Sequence, residues 1–192
     1  MTNERVTVVS AVNMMLMSIG ERPVTDINAT QRLDVLRAVT CLNEANLLFQ
    51  VRGWWFNTED YVLLSPNGDG EYEIPDDVLK VDPYYPSEWK YVQRGRRLFN
   101  KEDRLYDGNT EDLYVNYVVF LDFEDLPETA KIYIARRAGV IFQARSIGSQ
   151  ILYQFTTEFA NEAWATLQQE EVDADDPNLT LAPELVDVVY RR

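Results

Sequence analysis

The sequence predicts an α+β fold: a four-helix bundle-like α domain, a small antiparallel β-sheet inserted into it, and an extended C-terminal arm. Three observations predict it. Apolar residues recur at helical spacing near both ends of the 192-residue chain, over 7–19 and 30–52 and again over 127–147 and 149–176. Between 54 and 120 the period shortens to alternation broken by turn-forming clusters. Beyond Asp176 the helical pattern stops, and two prolines interrupt an alternating apolar run. The expected boundaries are 1–56 for an N-terminal helical part, 57–123 for the inserted β region, 124–176 for a helical hairpin completing the bundle, and 177–192 for the arm.

In the first helix, predicted over 7–19, Val8, Val12, Met15 or Leu16 and Ile19 fall near one face, and Gly20 with Glu21-Arg22-Pro23 forbids continuation. Met14, Met15 and Met17 read either as core filler or as an adaptable contact surface. The stretch 30–56, TQRLDVLRAVTCLNEANLLFQVRGWWF, is expected to be the spine of the molecule. Val35, Val39, Leu42 and Phe49 keep helical spacing, and Leu36, Leu47, Leu48 and Val51 widen the stripe, which predicts cover on more than one side. Asn28 is the expected cap, with Gln31 as its reciprocal partner, and Gly53 is the expected stop.

Strands are predicted at 61–64, 71–74 and 78–81, the first two joined by the turn Ser65-Pro66-Asn67-Gly68-Asp69-Gly70. Residues 89–93 and 96–100 flank Arg94-Gly95 as a hairpin, and the aromatic, β-branched run LYVNYVVF over 113–120 is the strongest strand. Pro127 and Glu128 suit the first turn of a third helix, whose faces are tracked by Ile132, Ala135, Ala138 or Gly139, Phe142 and Arg145. Leu152, Phe155, Phe159, Ala163 and Leu167 mark a fourth, joined to the third through Gly148 as an antiparallel hairpin.

Composition limits the chemistry. A net charge of −14 opposes nucleic-acid binding by a free monomer. It reads as solubility, or as a surface along which a polyanion slides without sticking. With no histidine, the Ser-His-Asp and Cys-His nucleophilic sites, imidazole proton shuttles and nearly all zinc sites are excluded. Cys41 has no partner for an internal disulfide, and it is expected to be an inert core residue in a reducing compartment. The opening MTNERVTVV is not expected to act as a secretory leader, and no stretch approaches the ~18 apolar residues of a membrane span.

Asn67-Gly68-Asp69-Gly70 matches neither a phosphate-binding loop nor a calcium loop and reads as a turn. Paired acids recur at Glu59-Asp60, Asp76-Asp77, Glu124-Asp125, Glu170-Glu171 and Asp175-Asp176. Glycoside hydrolysis needs two carboxyls across a sugar cleft, and Trp54, Trp55, Tyr84, Tyr85 and Trp89 could stack on sugars. Adjacent acids, however, point to different faces, so the plainer reading is solvated surface. Lys90, Arg94, Arg96, Arg97, Lys101 and Arg104 concentrate six of the 18 bases in one short stretch, whereas 158–176 carries acids and no base. On a hairpin tip the bases either guard a sheet edge or dock onto an acidic neighbour. The second reading gives a head-to-tail interface between copies, with Glu158, Glu162, Glu170 and Glu171 on the receiving helix.

Several segments together resemble the tail tubular protein A, or tail adaptor ring, family of short-tailed bacteriophages. They are Ala11-Val12-Asn13 with Ser18-Ile19-Gly20-Glu21-Arg22-Pro23-Val24, then Arg52-Gly53-Trp54-Trp55-Phe56-Asn57 and Ile74-Pro75-Asp76-Asp77-Val78-Leu79-Lys80-Val81. Leu126-Pro127-Glu128-Thr129-Ala130, Ile134-Ala135-Arg136-Arg137-Ala138, Phe142-Gln143, and Glu170-Glu171 with Asp176-Pro177-Asn178-Leu179 complete the series. The resemblance rests on their order and spacing. It implies a ring of twelve copies between the portal and the tail nozzle, with a tail fibre anchored near its lower rim. Viral DNA would pass through without sequence recognition. It also implies a virion tail protein made in the host cytoplasm, with no cofactor, no metal, no membrane and no catalytic residues. The alternative within the same setting is a bifunctional tail protein that also hydrolyses capsular or cell-wall polysaccharide through a carboxylate pair.

Overall fold

The computed structural model describes residues 5–29, 32–84 and 90–175. In chain order these form α1 (Val8–Ser18), α2 (Leu33–Gln50), β1 (Thr58–Leu64), β2 (Val78–Pro83), β3 (Tyr91–Arg94), β4 (Arg97–Asn100) and β5 (Leu113–Val119). A short 3-10 turn (Phe123–Asp125), α3 (Glu128–Ser146) and α4 (Gln150–Asp175) follow. The fold is the predicted α+β mix of four helices and small antiparallel sheets. The arm expected over 177–192 lies outside the described residues, as do Gln31, Tyr85 and Trp89.

Local chemistry sets the helix ends. Thr7 and Ser10 form a reciprocal capping box at the start of α1, and Gly20 with φ +80° follows its end. Glu124 and Glu128 accept the Val8 and Val6 amides, which ties the entry of α1 to the start of α3. The Asn28 cap does not form. α2 begins at Leu33 with Arg32 at the cap position and no side-chain cap bond, while the Asn28 amide donates to Asp26 in a local turn. The helix ends at Gln50, and Gly53 supplies the left-handed residue (φ +81°) that turns the chain toward the sheet.

The helix at the centre is α3. It packs against α1, α2 and α4, whereas α2 packs mainly against α1 and α3. Small residues explain this: Ala130, Ala135 and Ala138 are buried along α3 beside Ile134 and Phe142, so neighbouring helices approach closely. Val35, Leu42 and Phe49 of α2 are buried in this core as predicted, with Ala38, Cys41 and Ala45 beside them. Leu36, Leu47, Leu48 and Val51, expected to be covered on a second side, are exposed.

The sheet region has a second core built on β5, which lies between β1 and β2 in an antiparallel sheet. Leu113, Val115 and Tyr117 face into it alternately along the strand. β1 carries a bulge between Glu59 and Val62, where Tyr61 adopts φ +58° and stacks on Tyr84 at 4.3 Å. β3 and β4 form a separate hairpin with Arg94 opposite Arg97. The strand expected at 71–74 does not form as such. Pinched between Gly70 (φ +80°) and Pro75, the segment only runs beside β4, with one bridge from Glu73 to Arg97 and bonds linking Tyr72 to Leu98 and Ile74 to Arg96. Its side chains matter more than its backbone: Tyr72 and Ile74 are fully buried.

Tyr72 gives the sheet core an alkaline limit. Its hydroxyl donates to the Glu111 carbonyl at 2.6 Å, and burial, with Tyr91 nearby, pushes its pKa well above the ordinary value. The neutral phenol is therefore favoured in the folded state. The stability this confers is complete below the ordinary tyrosine pKa of about 10 and is lost as pH rises toward the folded value. Urea midpoints measured from about pH 8 to 12 should fall on the alkaline side, and Tyr72→Phe should flatten part of that fall. An unchanged alkaline slope in the variant would assign the effect to other tyrosines.

Candidate assembly interface

The site predicted from sequence has two halves, and each sits on a defined element. The β3–β4 hairpin carries Arg94 and Arg97 on its strands and Arg96 in its turn, with Lys90, Lys101 and Arg104 flanking it. Arg94 lies over the Phe99 ring at 3.7 Å and Arg97 over Tyr106 at 4.4 Å, so both guanidinium groups are held by aromatic faces of the same hairpin region. Local acids neutralise three of the six: Arg97 pairs with Glu71 at 2.7 Å, Arg96 with Asp76, and Lys90 reaches Glu102 at 4.0 Å. Arg96 also donates to the Ile74 carbonyl, which fixes the hairpin turn against the segment before β2. Among the described residues Arg94, Lys101 and Arg104 make no ion pair. The positive charge the hairpin offers outward is thus about half of what its sequence suggests.

The acids lie along the outer surface of α4. Glu158, Glu162 and Glu170 are exposed, Glu171 is half-buried, and Glu170 accepts from the Thr129 hydroxyl at the start of α3. Among the described residues the two halves are not brought together, since no hairpin base pairs with an α4 acid.

Aromatic packing holds α4 in place. Trp54 is buried, stacks on Phe49 at 4.5 Å and meets Trp164 edge-on at 5.6 Å, while its indole N–H donates to the Phe49 carbonyl at 2.8 Å. The Arg52 guanidinium lies over both Trp54 and Trp164, at 4.9 and 5.1 Å. Leu167 and Ala160 complete the buried side of α4.

Sequence reasoning missed the apolar surface that this leaves. The stripe Leu152, Phe155, Phe159, Ala163 and Leu167 marks the helix by its spacing, but of these only Leu167 is buried. Ile151 is 67% exposed, Phe155 55% and Phe159 48%. A signal was present. The opening QILYQF is apolar around most of a turn, more than one buried face can use. Leu33, Leu36 and Leu47 on α2 and Val51 at its C-cap are likewise exposed.

Two of the five acid pairs, Asp76-Asp77 and Glu124-Asp125, meet elsewhere. Asp76, Asp77, Asp122, Glu124 and Asp125 line a groove of about 770 Å³ over Leu47, Leu79, Phe120 and Phe123. None of its lining residues is a tryptophan, so the sugar platform expected beside a carboxylate pair is not at this groove.

A model of the family described as "Tail tubular protein" matches residues 9–177. The chain belongs to the tail tubular protein family. It is also 29% identical to tail tubular protein A of Klebsiella phage KP34 over 156 residues, which cover 80% of this chain and 78% of that protein. As a tail tubular protein it is a structural component of a phage tail. The matched span of the family runs from the second residue of α1 through α4, so both cores, the basic hairpin and the exposed α4 surface fall within it. No helix among the described residues of this tail tubular protein is long and apolar enough to cross a membrane.

Proposed function

We propose that the chain is the subunit of an adaptor ring, twelve copies in the reading implied by the family, joining the portal to the tail nozzle and lining part of the channel for viral DNA. The observation that carries the proposal is the family match across both structural cores. Two properties of the molecule support it. A net charge of −14 opposes retention of DNA, which suits a conduit better than a binding site. The basic hairpin and the acidic outer surface of α4 are exposed, opposite in charge and unable to satisfy one another within one chain, which suits a heterologous contact repeated around a closed ring. A tail fibre would anchor near the lower rim.

The test is the mass of the purified protein by light scattering, alone and mixed with portal rings. Co-migration with the portal at ring stoichiometry is the expected result. A persistent monomer that ignores the portal overturns the adaptor reading.

The charge contact has its own test. Arg96 and Arg97 are poor choices for reversal because they already serve Asp76 and Glu71. Lys101→Glu with Arg104→Glu should weaken assembly roughly tenfold at low salt, since two exposed pairs are worth up to ~1 kcal/mol each. The difference from the native protein should shrink as salt shortens the screening length. Equal assembly at every ionic strength would remove the hairpin from the interface.

A further inference from the structure

Gly139 lies in the interior of α3 for no reason that one copy of the chain supplies. Its φ is not in the left-handed region, and a Cβ built there meets nothing within 4 Å. Glycine in a helix interior is disfavoured by about 1 kcal/mol relative to alanine. Neither backbone conformation nor close packing inside the chain offsets that loss.

What the glycine does is keep a hollow open. The space above it, about 160 Å³, is bounded by Met14 and Met15 of α1, Arg136 of α3, and Thr156 and Phe159 of α4. Arg136 lies over the Phe159 ring at 5.2 Å and borders a second hollow beside it with Met14 and Ile132. Phe159 continues into the exposed row Ile151 and Phe155, each one turn apart on α4. The result is an apolar surface with a socket sized for one large aliphatic side chain.

The same chain carries a row that fits it. At 100° per residue, Leu33, Leu36, Thr40 and Leu47 of α2, with Val51 at its C-cap, fall within about 60° of one another, on the side turned away from the buried line of Val35, Leu42 and Phe49. This is an aliphatic ridge of the kind that seats in a hole on a facing helix. Charges agree as well. Arg37 stands exposed on the ridge without an ion pair among the described residues, and Glu158 and Glu162 border the α4 row equally unpaired. Glu44, the acid on the ridge, is already held by Arg145 through bonds of 2.6 and 3.0 Å.

We propose that the socket over Gly139 receives the outward leucine row of α2 from a second copy of this chain. This rests on the adaptor reading for its head-to-tail arrangement, and it names the apolar centre of a contact whose charged part was placed above on the hairpin and on α4. A ridge and a socket on different elements make the contact heterologous, so each copy uses both and the series continues from copy to copy.

Cysteine cross-linking tests it, since the chain's one native cysteine, Cys41, is buried. Phe155→Cys is combined in turn with Leu36→Cys and with Leu47→Cys, and each protein is oxidised with copper phenanthroline. At least one combination should give a covalent ladder extending beyond the dimer, while each single variant stays monomeric. Gly139→Leu, whose Cβ has no neighbour within 4 Å and whose remaining atoms would occupy the socket, removes a helix-interior glycine and should fold with an unchanged or raised thermal midpoint yet reduce the ladder at least tenfold. Dimers from Leu36→Cys or Leu47→Cys alone would show ridge on ridge and overturn the proposal. A full ladder in the Gly139→Leu background would do the same. Native protein that joins portal rings while neither double variant forms a ladder would reject this contact and leave the adaptor reading standing. A chain that neither cross-links nor joins the portal would remove both.

Discussion

Trp54→Ala is expected to lower the unfolding free energy by about 3–5 kcal/mol, the range for truncating a buried aromatic. The side chain is 2% exposed, stacks on Phe49, meets Trp164 edge-on and donates its indole proton to the Phe49 carbonyl. Removing it therefore leaves a cavity where α2 and α4 meet and orphans nothing charged, so the loss is one of packing. Domains of this size carry about 5–15 kcal/mol in all, so the variant should unfold at a much lower urea midpoint. Trp54→Phe, which keeps the stack and loses only the hydrogen bond and part of the volume, should retain most of the stability. A loss below about 1.5 kcal/mol for the alanine variant would mean that α4 is held chiefly by Leu167 and the contacts of α3.

Gln50→Leu should cost about 3 kcal/mol by a different route. Gln50 is fully buried and its amide bridges the two cores. It donates to Leu121 carbonyl at 2.8 Å and to Asn46 at 2.9 Å, and it accepts from the Leu121 amide at 2.8 Å. Leucine fills similar space but leaves both backbone groups of Leu121 without partners, each worth about 1–3 kcal/mol when buried. Asn57 works beside it, donating to the Gln50 and Val119 carbonyls and accepting from the Trp54 amide. Asn57 is bonded to the backbone of Gln50 itself, so Asn57→Ala and Gln50→Leu should be non-additive, with a coupling of about 0.5–3 kcal/mol in a double-mutant cycle on urea midpoints. Strict additivity would show that the helical and sheet cores are joined by apolar contacts instead.

Much of this architecture was legible in the chain. Helical spacing gave all four helices to within a few residues, apart from the uncapped start of α2, and the β-branched run 113–119 became the central strand. What the pattern could not supply was which apolar residues the fold would cover. Leu36 and Leu42 are equally hydrophobic, and only the position of α3 decides that one is exposed and the other buried. The same ambiguity hid Phe155 and Phe159, whose spacing suits a core helix and an interface helix alike. Local pairing was also invisible. Arg96 and Arg97 read as free positive charge until Asp76 and Glu71, distant in sequence, were placed against them.

The antiparallel hairpin of α3 and α4 has an electrostatic consequence of its own. Peptide dipoles put roughly half a positive elementary charge at the start of α3 and half a negative one at the end of α4. Glu170, Glu171 and Asp173 add to the negative end, and α4 has no base in its last turn to relieve it, so its final turns are disfavoured when taken alone. Folded back, Glu170 lies beside the turn that opens α3, where it accepts from the Thr129 hydroxyl. Two opposed macrodipoles thus hold the tip of α4, and salt would weaken this attraction without disturbing the cores.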